Sequence, residues 1–169
     1  YLSYAVLNEA ILQDANLSRA KMVGASFVRT KLMNANLAEA NLQGANFTNA
    51  FLMGANLEAA NCEDGIFHGV NATGTEAARA NFSRAQMSGA NLTKMILRDA
   101  TLRETNLTWT SLPRADLTSA KLTKAKLCWS NLKGAILAHA VLIDANIDET
   151  GFANADLTGA IMPSGETHQ

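Results

Sequence analysis

Three histidines, two cysteines and fifteen carboxylates are the side chains of this chain best suited to chemistry. General acid–base catalysis needs such groups converging on one substrate atom, and a nucleophile needs a base beside it. His68, His139 and His168 share no column of the repeat described below, and no carboxylate pair recurs beside them. They read as solvated surface residues. No serine–histidine–aspartate set, phosphate-cradling glycine loop or CxxC-type metal spacing occurs. Cys62 and Cys128 lie far apart at different repeat positions, so a disulfide is not expected and a reducing cytoplasm is the expected compartment. The expectation is a chain with no catalytic residue, no cofactor and no metal. Trp109 and Trp129 offer something else: they are twenty residues apart at equivalent positions, with Cys128 adjacent, and should stack on the outside. Exposed tryptophans mark contact sites. They also build aromatic ladders that only support an outer edge, as cross-strand pairs do. Both readings stay open.

The elements that position these residues follow from a period of five. From Leu2 to Met162 every fifth residue is Leu, Ile, Met or Phe, except Cys62, Ala72 and Ala77. Two places before each of these centres stands a small residue, usually Ala; only Val70 and Met95 exceed threonine in size. On an α-helix five residues advance about 500°, which smears the leucines around the cylinder. On a flat strand an odd spacing sends them to opposite faces. They all point inward only if the chain turns a corner about every five residues, giving a four-sided coil with twenty residues per turn. Period twenty checks this: Phe27, Phe47 and Phe67 fall in one column, and Leu17, Leu37 and Leu57 in another. Asn16, Asn36 and Asn56 also share a column and are expected to bond neighbouring coils as an asparagine ladder. Gly24, Gly44, Gly54, Gly89 and Gly134 close their pentads where a turn needs positive φ.

The stretches "ANLAEANLQGANFTNA" and "ADLTSAKLTKAKLC" resemble the A-(D/N)-L-x-x motif of pentapeptide-repeat proteins, and the resemblance covers essentially the whole chain. It implies an all-β fold, a right-handed quadrilateral parallel β-helix of about eight coils. At ~4.8 Å per coil the rod is roughly 40 Å long. Such repeats are abundant in cyanobacteria, and most members have no assigned activity. The expected organisation is one solenoid over 1–162, with a candidate seam near Met95, and a short tail over 163–169. The weakest segment is Gly65–Ala80, where Ala72 and Ala77 stand in for core leucines. Val70 and Met95 are expected to fill that space; an extruded loop is the alternative.

Charge separates the remaining functional readings. The formal net charge is −1, hydrophobic residues make up 48% of the chain, and no apolar run approaches the ~20 residues of a membrane helix. Tyr1 is not an initiator methionine and is already in register, so a removed targeting segment stays open. Some members of the resembled family mimic a DNA duplex, inhibit DNA gyrase by occupying its DNA site, and dimerise through a C-terminal cap. That mechanism needs a strongly negative rod. The side of Leu2 carries five positive and four negative residues, net +1; that of Leu7 two and three, net −1. The side of Leu12 carries four and one, net +3; that of Leu17 three and six, net −3. The acidic side comprises Glu39, Glu58, Glu76, Asp99, Asp116 and Asp156, interrupted by Arg19, Arg79 and Arg98. No side is a convincing phosphate mimic, and nucleic acid and membrane are not expected partners. The expectation is a structural or protein-interaction solenoid with an unknown protein partner and weak end-to-end self-association. A DNA-mimicking inhibitor or modulator of gyrase or another topoisomerase is the alternative.

Overall fold

In the computed structural model, which describes residues 1–169, the chain contains no helix. The residue before each centre forms a parallel bridge to the residue twenty further on, from Val6↔Ser26 to Val141↔Ile161. Three backbone bonds per pentad join successive coils, as in Leu42 N to Asn61 O at 2.7 Å, Gly44 N to Glu63 O at 2.8 Å and Asn41 N to Ala20 O at 2.9 Å. Between bridges the chain turns. Each centre's carbonyl accepts the N–H three residues on, for example Ala45 N to Leu42 O at 2.9 Å.

The third residue of every such turn, two after the centre, has positive φ, from Tyr4 at 61° to Gly159 at 67°. That is the signature of a type II turn. The sequence points to five glycines for this role, yet 24 of these positions hold other residues, including Arg, Glu, Lys and Trp. The coil imposes the left-handed state, which costs an L-residue about 1–2 kcal/mol. The bonds to the next coil made by the same residues, such as Tyr4 N to Val23 O at 2.8 Å, offset that cost.

Asparagine before the centre has a different role from the expected ladder. Asn16, Asn36 and Asn56 use Oδ1 to accept the N–H two residues on, from Ser18, Ala38 and Glu58 at 3.1, 3.0 and 2.8 Å. These amides have no backbone acceptor. The side chain reaches its own turn without strain, as in an Asx turn, and so satisfies the one N–H per pentad that the coil leaves over. Amide bonds between coils do occur, as from Asn81 Nδ2 to Asn61 Oδ1 at 3.4 Å.

The interior is filled by like on like. Phe27, Phe47 and Phe67 stack with centroids 4.7 and 4.9 Å apart and planes within 8°. Thr75, Thr105 and Thr110, buried where Ala is usual, donate their hydroxyls to Leu52 O, Phe82 O and Met87 O. Cys62 takes a core position, and burial pushes its thiol pKa well up, leaving it unreactive at neutral pH. Residues 65–80 keep the register. Val70 and Met95 are each 1% exposed, in the same core cluster as Ala72 and Ala77. The ladder runs through Met95, whose carbonyl accepts Asp116 N at 2.9 Å. Residues 163–169 fold back through Gly165, pairing Ile161 antiparallel with Thr167, with Met162 N to Glu166 O at 2.8 Å.

Gly65 has a packing reason for its identity. A Cβ there would sit 2.6 Å from Phe67 Cε2 and 2.9 Å from the Cys62 carbonyl oxygen. Gly65→Ala should therefore destabilise the coil by about 1–3 kcal/mol. Thermal denaturation checks this, and in a Phe67→Leu background the penalty of the alanine should shrink.

Candidate functional site

Because each turn points its third side chain away from the core, residues twenty apart at these corners form outward columns. Trp109 and Trp129 occupy one such column. Their rings stack at 5.2 Å with planes within 8°, and they are 65% and 51% exposed. Both have φ of 60°. Trp109 N donates to Cys128 O at 3.1 Å, so coil pairing brings the half-buried Cys128 alongside the first tryptophan. The proposed patch is thus contiguous. Neither ring is among the buried residues of the core.

The acidic residues are not a free row. Glu39 pairs with Arg19 at 3.0 Å, Glu58 with Arg79 at 2.5 Å and Asp116 with Arg98 at 2.6 Å. The hydrogen bond and charge of Arg19 lower the Glu39 pKa. Burial alone would raise Asp116, but hydrogen bonds from Thr118 and the Arg98 pair outweigh it and hold the carboxyl below its usual range. Asp156 is also lowered, chiefly by its bonds from the Thr158 hydroxyl and N–H. Glu76 and Asp99 form no ion pair. Half of the acidic set is therefore locally neutralised by the arginines that interrupt it in sequence.

The histidines do not converge. His68 Nδ1 lies 2.7 Å from Ser88 Oγ, the His139 ring lies over Gly159, and His168 belongs to the folded-back tail. One surface cavity of about 410 Å³ opens on a different side, lined by Pro113, Arg114, Lys133, Gly134 and Asn154. Sequence reasoning passed over it. Its signal is a column in which Gly134 separates Arg114 from Asn154, leaving a gap in the row of side chains.

The family model for pentapeptide repeats matches in eight copies, over residues 1–37, 35–71, 66–103, 96–134 and 129–162. The chain belongs to the pentapeptide-repeat family. Among solved structures, this pentapeptide-repeat chain is similar to HetL, a pentapeptide repeat protein involved in heterocyst differentiation regulation from the cyanobacterium Nostoc sp. strain PCC 7120. The identity is 25%, covering 99% of this chain and 93% of HetL, with a TM-score of 0.47. It is also similar to QnrB1, a plasmid-mediated fluoroquinolone resistance protein, at 16% identity over 94% of this chain and 84% of QnrB1, with a TM-score of 0.56. The likeness to QnrB1 is one of fold alone. Rfr23, from the cyanobacterium Cyanothece 51142, is 36% identical over 48% of this chain and 58% of its own, with a TM-score of 0.29. A search of curated proteins finds no match. No helix is long and apolar enough to cross a membrane.

Asp116 holds its corner in two ways, capping Thr118 N at 3.1 Å and pairing with Arg98. Asp116→Asn keeps the cap and should cost under about 1 kcal/mol, whereas Asp116→Ala loses both and should cost about 1–3 kcal/mol. The carboxyl is depressed in the folded state, so its contribution is full above the unfolded value of ~3.9 and is lost as pH falls through the folded one. Denaturant melts between pH 3 and 7 should show a shallower acid loss in Asp116→Asn than in the parent.

Proposed function

We propose that this pentapeptide-repeat chain is a non-catalytic interaction solenoid: a right-handed quadrilateral coil of about eight turns over 1–162, with 163–169 as its tail. It works in a reducing cytoplasm, needs no cofactor or metal, and offers Trp109, Trp129 and Cys128 to a protein partner. The observation that carries this reading is the stacked tryptophan pair, more than half of whose surface faces solvent. The apolar centres are used up in holding the coils together, which leaves recognition to the outer positions. Tryptophan is enriched where protein contacts concentrate their energy. Weak end-to-end pairing of strand edges belongs to the same reading.

A double Trp109→Ala, Trp129→Ala variant tests the patch. Loss of an exposed stack should cost about 0.5–1.5 kcal/mol of stability, leaving the circular dichroism spectrum of the coil intact. Capture of the partner from the source organism should be lost. Unchanged capture and unchanged self-association in ultracentrifugation would remove the patch from consideration.

The fold likeness to QnrB1 and the −3 side keep a second reading in view, a DNA mimic acting on gyrase. The ion pairs of Glu39, Glu58 and Asp116 weigh against it, because phosphate mimicry needs unpaired negative charge. In a gyrase supercoiling assay the purified chain should leave the reaction unaffected; inhibition would exchange the two readings.

A further inference from the structure

The corner columns contain eight glycines, and half of these carry a neighbour's planar side chain. A Cβ built on Gly24 would lie 2.7 Å from Tyr4 Cε1, one on Gly54 2.7 Å from Asn34 Oδ1, and one on Gly159 2.6 Å from His139 Nδ1. At Gly69 it would meet Asn49 Oδ1. In each case a planar side chain leans from the preceding coil onto a bare glycine backbone. The corner is therefore a floor that a side chain of the preceding coil can reach, with the Asn34 amide pointing its Oδ1 at it, and the protein shows four examples of such an approach.

At Gly44, Gly74 and Gly89 a Cβ would meet nothing within 4 Å. Each follows another glycine in its column, Gly24, Gly54 and Gly69, so no side chain reaches forward to cover it. The next residue in the column is Asp64 for Gly44, Lys94 for Gly74 and Trp109 for Gly89. Only the third of these open floors ends against an aromatic face. The other side of Trp109 is already stacked on Trp129. The notch thus runs from the Asn49 amide above Gly69 to the free face of Trp109. At ~4.8 Å per coil it spans about two coil spacings, room for one flat group at half height. That placing would repeat the spacings already in the molecule, 5.2 Å for the tryptophans and 4.7 Å for Phe27 and Phe47.

The charge around the notch selects the occupant. On this side of the coil there is no Lys, Arg, Asp or Glu between Arg29 and Lys126. The residues before the two glycines, His68 and Ser88, are bonded to each other at 2.7 Å. A cation finds no carboxylate here and an anion no Lys or Arg, so what the notch offers an occupant is the Trp109 face, on which an aromatic ring stacks. The floor and the two walls leave its outer side open, whereas small-molecule sites bury most of their ligand. A ring carried on a protein surface brings its own cover. We propose that the notch over Gly89 receives an aromatic side chain (Tyr, Phe or Trp) of a partner protein, stacked on the free face of Trp109. This rests on the tryptophan patch being a contact surface and adds the chemistry of what it contacts.

The test is an amide-resolved NMR titration of the full chain with N-acetyl-tryptophanamide, using N-acetyl-leucinamide as the apolar control. The expected result is ring-current shifts at the Gly69 and Gly89 amides and the Trp109 indole N–H, several-fold larger than with the leucine compound. Gly89→Asn places an amide in the notch on a residue that tolerates positive φ, and should abolish these shifts. Gly74→Asn, the same change on another column, should leave them intact. Equal shifts from the leucine compound, or shifts undiminished in Gly89→Asn, would overturn the inference. If raising the protein concentration alone produces the shifts, and Gly89→Asn removes them, the occupant is a second copy of this chain and the partner assignment falls. If the double tryptophan variant loses its partner while Gly89→Asn keeps it, the contact patch stands and the notch does not.

Discussion

One backbone state governs this molecule: the left-handed residue two places after each core side chain. A chain that must turn every five residues, keep its N–H groups bonded to neighbouring coils and send every fifth side chain inward has little other choice. Positive φ at that residue reverses the local direction while leaving its N–H aimed at the next coil, as with Gly44 N on Glu63 O at 2.8 Å. Many such residues would each favour another conformation if the coil were absent. They are held because the turn behind them and the coil beyond them are both hydrogen-bonded. The cost is local and the compensation comes from neighbours, so stability should depend strongly on the number of stacked coils.

The pentapeptide motif follows from that state. The turn leaves one amide per pentad without a backbone acceptor, the one after the centre, and the residue that can reach it is two places earlier. Asn or Asp there supplies the oxygen, which explains an (N/D) preference that inter-coil ladders do not. Alanine two before the centre is set by space: its Cβ shares the interior with the bulky centres. Thr75 is accepted there because its hydroxyl finds Leu52 O, and Val70 and Met95 sit there in the part of the core where Ala72 and Ala77 take up less volume.

Much of this was legible because a period of five has so few geometric solutions. The phenylalanine column and the tryptophan stack both follow from period twenty, as do pairs such as Arg19 with Glu39 and Arg84 with Asp64. Pairs that cross between turn positions did not: Arg98 reaches Asp116 eighteen residues on, and Arg79 reaches back twenty-one to Glu58. Long, flexible arginines choose among several acids, and periodicity alone does not rank them. The left-handed corners were hidden for another reason. Sequence reading looks for glycine as the sign of positive φ, and here Arg, Glu, Lys and Trp hold the same state.

That last point changes what glycine means in this fold. Elsewhere a glycine with φ near 65° is explained once the angle is known. Here the angle is common to every corner and is met by residues of every kind, so it explains no particular glycine. What distinguishes the corner glycines is the space above them: Tyr4, Asn34, Asn49 and His139 lie on four of them, and nothing lies on Gly44, Gly74 or Gly89. In a rod whose core residues repeat faithfully, the columns of outer residues carry its individuality. A missing side chain in such a column is as specific a feature as a tryptophan. The two meet at one place, where Gly89 gives way to Trp109, and there the surface has both an open floor and an aromatic wall.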